Sequence, residues 1–143
     1  MSSCLVDLNI WLAIAHSQHS HHDAAMRWLN DLSDNAYFCR QTQLGLLRLL
    51  TNARVMGSAV RTQSEAWRVY DLLLDDPRIA FVHEPPDIEL ALRGLTHGKS
   101  SATNTWSDAY LGALARSLGL QIVSFDRVFR TMPGVEATVL ETR

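Results

Sequence analysis

The chain has 143 residues, 47% hydrophobic and 20% charged, with a formal net charge of −2. That is the size of one domain, 1–143, able to bury a sizeable core, and the composition of a globular chain rather than a disordered one. No apolar run approaches the roughly 20 residues that span a bilayer and no signal-peptide pattern opens the chain, so we expect a cytoplasmic protein with no membrane association. The charge excludes bulk electrostatic binding of nucleic acid, for which domains are strongly basic. It leaves room for a nuclease, because bound divalent cations screen an acidic pocket against phosphate.

Ser3 to Val6 is a short apolar run that reads as the first strand, with Asp7 directly after it and a helix through Ala15. His16 to His22 breaks the pattern; its histidines have no partner spacing that closes a metal site, and a solvated loop is expected. A helix over Asp23 to Leu32 is followed by a strand over Tyr37 to Cys39 and a leucine-rich helix that Thr42 can cap, ending near Leu50. Gly45 lowers that helix's propensity and points to a close approach of a neighbouring helix, backbone or ligand. Cys4 and Cys39 sit in apolar strand contexts, as reduced core residues do.

Asn52 to Gly57 reads as a loop, and Thr62 or Ser64 starts a helix that Asp75, Asp76 and Pro77 stop. Ile79 to Val82 gives a third strand, and Pro85-Pro86 opens a further helix. Gly98 to Ala102 reads as a flexible loop before a unit spanning Asn104 to Phe129. In that unit Asn104 or Thr105 caps a helix, Gly119 suits its left-handed C′ position, and the apolar run from Leu120 to Phe125 forms a strand. Val135 to Leu140 is consistent with a last edge strand. Strands alternating with helices imply an α/β fold with a mainly parallel sheet and right-handed crossovers.

Three aspartates fall where such a sheet places ligands. Asp7 and Asp126 follow strand carboxyl ends, and Asp108 lies in the first turn of a helix. Each has a plain alternative. Asp7 or Asn9 can cap a helix, Asp126 can cap a short turn, and the helix N-terminus can suffice for Asp108. Gathered at one rim, the three carboxylates would raise one another's pKa unless a cation sat among them. Oxygen ligands of this kind suit magnesium or manganese, which can lower the pKa of a bound water and neutralise charge on a phosphodiester. Neither a partnered cysteine or histidine nucleophile nor a glycine-rich phosphate loop is evident.

The segments LVDLNIWLA, TQLGLLRLLTN and SDAYLGALARSLGLQIVSFDRVF resemble PIN-domain ribonucleases of the VapC toxin type, and the likeness runs over nearly the whole chain. The resemblance implies a three-layer α/β/α sandwich and a divalent-metal-dependent endoribonuclease. It implies Asp7, Asp108 and Asp126 around a magnesium or manganese ion, with Asn9 holding the site and Ser124 in the position before the last acid. It also implies RNA as substrate, a cognate antitoxin as partner, and a homodimer. One departure stands out. Where the family usually carries a glutamate after the second strand, this chain has Gln43, or Gly45 in a shifted register, and no acid between Asp34 and Glu65. Gln43 offers an amide oxygen without charge, and Arg48 either contacts phosphate or an acid or lies on the solvent face. The departure raises a second reading, a catalytically impaired PIN-like module that binds antitoxin or RNA without cleavage. A phosphoacceptor domain fits poorly, since no second acid precedes Asp7 and Lys99 lies before a helix.

Overall fold

The computed structural model describes residues 3–98 and 105–142. Its five strands are β1 (Cys4–Val6), β2 (Ala36–Phe38), β3 (Ile79–Phe81), β4 (Gln121–Ser124) and β5 (Ala137–Val139), and every pairing is parallel. Their spatial order is β3-β2-β1-β4-β5. The chain winds outward from β1 to β3 and then returns to the other side of β1 with β4. The carboxyl ends of β1 and β4 therefore flank the point where the winding reverses, the usual ligand position in open parallel sheets.

Alternation along each strand explains the layers. Cys4 and Val6 face one core with Ala36, Phe38 and Val123, while Leu5 and Ile122 face a second. The first core is covered by α1 (Leu8–Ala15), α2 (His22–Asp31), α3 (Arg40–Leu50) and α5 (Gln63–Leu74), and the second by α6 (Ile88–Thr96) and α7 (Thr105–Leu118). The result is a three-layer α/β/α sandwich, as the resemblance implies, built on the parallel sheet that the element order predicts. Trp11 and Phe38 stack in the first core with ring centroids 3.8 Å apart.

Local chemistry accounts for most element ends. Thr62 accepts from the Glu65 amide and Glu65 from the Thr62 amide, a reciprocal box that starts α5. Gly119 ends α7 at φ +68°, in the left-handed region. Gly45 packs against Leu8 of α1, so the close approach there is helix to helix.

Several expectations are corrected. Thr42 does not cap α3; the helix begins two residues earlier at Arg40, and Thr42 instead accepts from the Cys39 amide at 3.0 Å. Asn52 to Gly57 is not a loop. Asn52 accepts from the Arg54 amide and starts a short helix, α4 (Ala53–Met56), which a 3-10 turn at Gly57–Ala59 follows. The histidine segment is not simply solvated, because His21 lays its ring 5.1 Å from Phe125 and His22 Nδ1 lies 2.7 Å from the Ala13 carbonyl oxygen. The expected cap at Asn104 and most of the expected loop from Gly98 to Ala102 lie outside the described residues.

Candidate active site

Asp7 leaves β1 and caps α1, its Oδ1 accepting from the Leu8 amide at 2.7 Å. Its other oxygen accepts from the Ser124 hydroxyl at 2.6 Å. Ser124, the last residue of β4, is buried, and its Oγ also accepts from Asn9 Nδ2 at 3.2 Å and from the Asp126 amide at 2.9 Å. One hydroxyl thus binds the ends of β1 and β4 together. Asn9 adds a longer contact, its Oδ1 accepting from the Phe125 amide at 3.4 Å. Asp126 Oδ1 accepts from the Val128 amide, capping the 3-10 turn at Arg127–Thr131. For Asp7 and Asp126 the capping role is therefore real, and it fixes each carboxylate without consuming all of its lone pairs.

Asp108 reaches the same rim from the first turn of α7. Its carboxyl is pushed up to about 6, first by burial and then by the charges of Asp7 and Asp126. Asp7 is raised as well. Burial is the largest cause there, opposed by the Ser124 hydroxyl and the Leu8 amide, and Asp126 raises it further. The three acids are thus within electrostatic reach of one another, and among the described residues the two ion pairs, Arg78–Asp76 and Arg93–Glu89, involve none of them. Three acids crowded together with no ion-pair partner among the described residues are the donor chemistry that a hard divalent cation would satisfy. Among the described residues no three metal-ligating side chains close into a cage.

The remaining expected residues lie elsewhere. Gln43 is buried, and its amide oxygen accepts from Arg40 Nη1 rather than facing the acids. Arg48 is exposed near the end of α3 and pairs with none of the three acids. Residues the sequence reading passed over stand along the same rim at the ends of β2 and β3. Arg40 lies over the Phe81 ring, and the Tyr110 hydroxyl donates to Glu84 at 2.7 Å. The signal for them was available, since His83 and Glu84 follow a strand end just as Asp7 does.

The PIN domain family matches residues 4–135. Ribonuclease VapC41 of Mycobacterium tuberculosis is 42% identical over 142 residues, covering 95% of this chain and 97% of that protein. Among solved structures, VapBC2 of Rickettsia felis, bound to a DNA fragment from its promoter, superposes with a TM-score of 0.68 at 11% identity, covering 97% of this chain and 99% of that one. VapC20 of M. tuberculosis, a toxin that cleaves the sarcin–ricin loop, gives 0.65 at 20% identity, over 90% of this chain and 93% of its own.

Proposed function

This chain belongs to the PIN-domain family as a VapC-type ribonuclease, the toxin of a toxin–antitoxin pair, and on that premise we propose that Asp7, Asp108 and Asp126 form its catalytic centre with magnesium or manganese. The observation that carries the proposal is that the Ser124 hydroxyl ties Asp7 to the Asp126 turn at the reversal point of the sheet, with Asp108 near enough for both charges to raise its carboxyl. The three carboxylates would hold the ion, which when bound supplies a more acidic water and positive charge against the phosphodiester. The chain's own residues do the positioning. Ser124 fixes the orientation of Asp7 and anchors the turn that presents Asp126, and Asn9 steadies that turn from α1. Asp108 brings the third carboxylate from the opposite helical layer.

The antitoxin partner rests on neighbouring structures such as VapBC2 of Rickettsia felis and a toxin–antitoxin complex from Klebsiella pneumoniae. A homodimer, action in the cytoplasm and a single domain over 1–143 belong to the same proposal. A second reading, a module that binds without cutting, draws on Gln43, whose amide oxygen is engaged by Arg40 where a glutamate would carry charge.

Incubation of purified protein with RNA decides between them. The nuclease reading predicts cleavage that needs magnesium or manganese and falls at least about 100-fold in Asp7→Asn and Asp108→Asn, the scale of losing a group that acts in the transition state. Equal cleavage by the wild type and both variants would assign the activity to a contaminant. Folded wild type with no cleavage at all would favour the module.

A further inference from the structure

Beside the acids, over the ends of β2 and β3, lies a cavity of about 230 Å³ lined in part by Cys39, Arg40, Phe81, His83, Glu84 and Tyr110. Drug-sized ligand pockets begin near 300 Å³, so this one has room for a single flat heterocycle. Its lining combines stacking surfaces with a fixed acceptor. The Arg40 guanidinium lies 4.9 Å from the Phe81 centroid and donates to Gln43 Oε1, so its plane is held from behind and from one edge. His83 sits against the same Phe81 ring at 5.0 Å. Glu84 receives the Tyr110 hydroxyl on Oε2, which holds the carboxylate while Oε1 has no partner among the described residues.

The pocket lies on the same edge of the sheet as the acids, at neighbouring strand ends. Gln41, next to Arg40, donates from its side chain to the Ser107 carbonyl at 3.4 Å, tying the start of α3 to the turn that carries Asp108. Tyr110 lies on the same helix as Asp108. With β2 next to β1 and β3 beyond it, the pocket floor lies roughly 5 to 10 Å from the end of β1 at ordinary strand spacing.

We propose that this cavity is a base-binding subsite, taking one unpaired nucleobase of the RNA next to the phosphate at the acids and favouring bases with an exocyclic amino group. The proposal rests on the ribonuclease reading for its choice of ligand. Unpaired bases splayed from RNA stack on aromatic rings and guanidinium planes, and their Watson–Crick edges are then open to hydrogen bonding. Glu84 accepts but cannot donate, so it suits the amino groups of adenine, cytosine or guanine. Uracil presents one imino N–H flanked by two carbonyl oxygens, which the carboxylate repels. The same pocket gives Gln43 work as a positioning residue for Arg40 and away from the acids.

Fluorescence polarisation of labelled single-stranded hexamers of adenylate, cytidylate and uridylate tests this. EDTA keeps divalent ions and cleavage out of the measurement. The wild type is expected to bind the adenylate and cytidylate hexamers about tenfold tighter than uridylate, within the range one specific base contact provides. Glu84→Ala should bring all three to within about twofold. Glu84→Gln, which keeps an acceptor for Tyr110 but loses the charge, should shrink the preference by a smaller factor. Binding by the wild type that ignores the base, or a preference that survives Glu84→Ala, would overturn the assignment. The ribonuclease reading is tested separately: a wild type that keeps the base preference but does not cleave in manganese would defeat that reading and leave the subsite standing.

Discussion

At the scale of single residues, Ser124 shows how one buried hydroxyl organises a site. It donates to Asp7 and accepts from Asn9 and the Asp126 amide, so its removal frees the Asp7 carboxylate and loosens the turn that presents Asp126. Ser124→Ala is expected to lower RNA cleavage by roughly 10- to 100-fold, the usual cost of losing an outer-shell partner, with the fold kept as judged by circular dichroism. Asp108 gives a pH signature. Its carboxyl is raised to about 6 in the folded protein, against an ordinary 3.8, so folding favours its protonated form. In EDTA, the stability this group contributes is full below about pH 4 and is lost as the pH rises to about 6. The melting temperature of the wild type should therefore fall relative to Asp108→Asn across that window; parallel melting curves would contradict the coupling. Cys4 points the same way in a simpler case. Burial, followed by the charge of Asp34, pushes its thiol up to about 12, and alkylation of the native protein at pH 8 should leave Cys4 unmodified by mass spectrometry. The places of Asp7 and Asp126 were legible in the sequence because each follows a strand end, and that of Asp108 because it opens a helix leading into the next strand. Gln43 and Arg48 were not, because a helix start gives a residue's place along the axis but not which neighbour its side chain meets.

At the scale of elements, caps and glycines hold the frame on which the acids ride. Thr62→Ala breaks the reciprocal box at the start of α5 and should cost about 1 kcal/mol in urea denaturation. That loss belongs to an element with no residue in the site, so RNA cleavage by the folded variant should be unchanged. The sequence left the start of α5 between Thr62 and Ser64, and the reciprocal box decides for Thr62. It misplaced the start of α3, because Thr42 is also a good cap and the competing arrangement, with Cys39 outside and Thr42 in the first turn, depends on the β2 end being buried. The short helix α4 escaped notice because four residues carry no readable period.

At the scale of the whole molecule, strand order is what makes three distant aspartates neighbours. Periodicity identified strands and a parallel sheet, but not that β4 would lie against β1 while β3 moved two places away. That arrangement follows from the crossovers, whose helices divide between the two faces. Its consequence is division of labour along one rim, with the acids at β1 and β4 and the mixed stacking pocket at β2 and β3. Among the described residues no helix is long and apolar enough to cross a membrane. The central claim concerns the acids, and calorimetric titration with manganese tests it most directly. The account predicts binding to the wild type that weakens by more than the roughly 10- to 100-fold typical of outer-shell changes in each of Asp7→Asn, Asp108→Asn and Asp126→Asn. Undiminished manganese binding in all three folded variants, or none to the folded wild type, would contradict it.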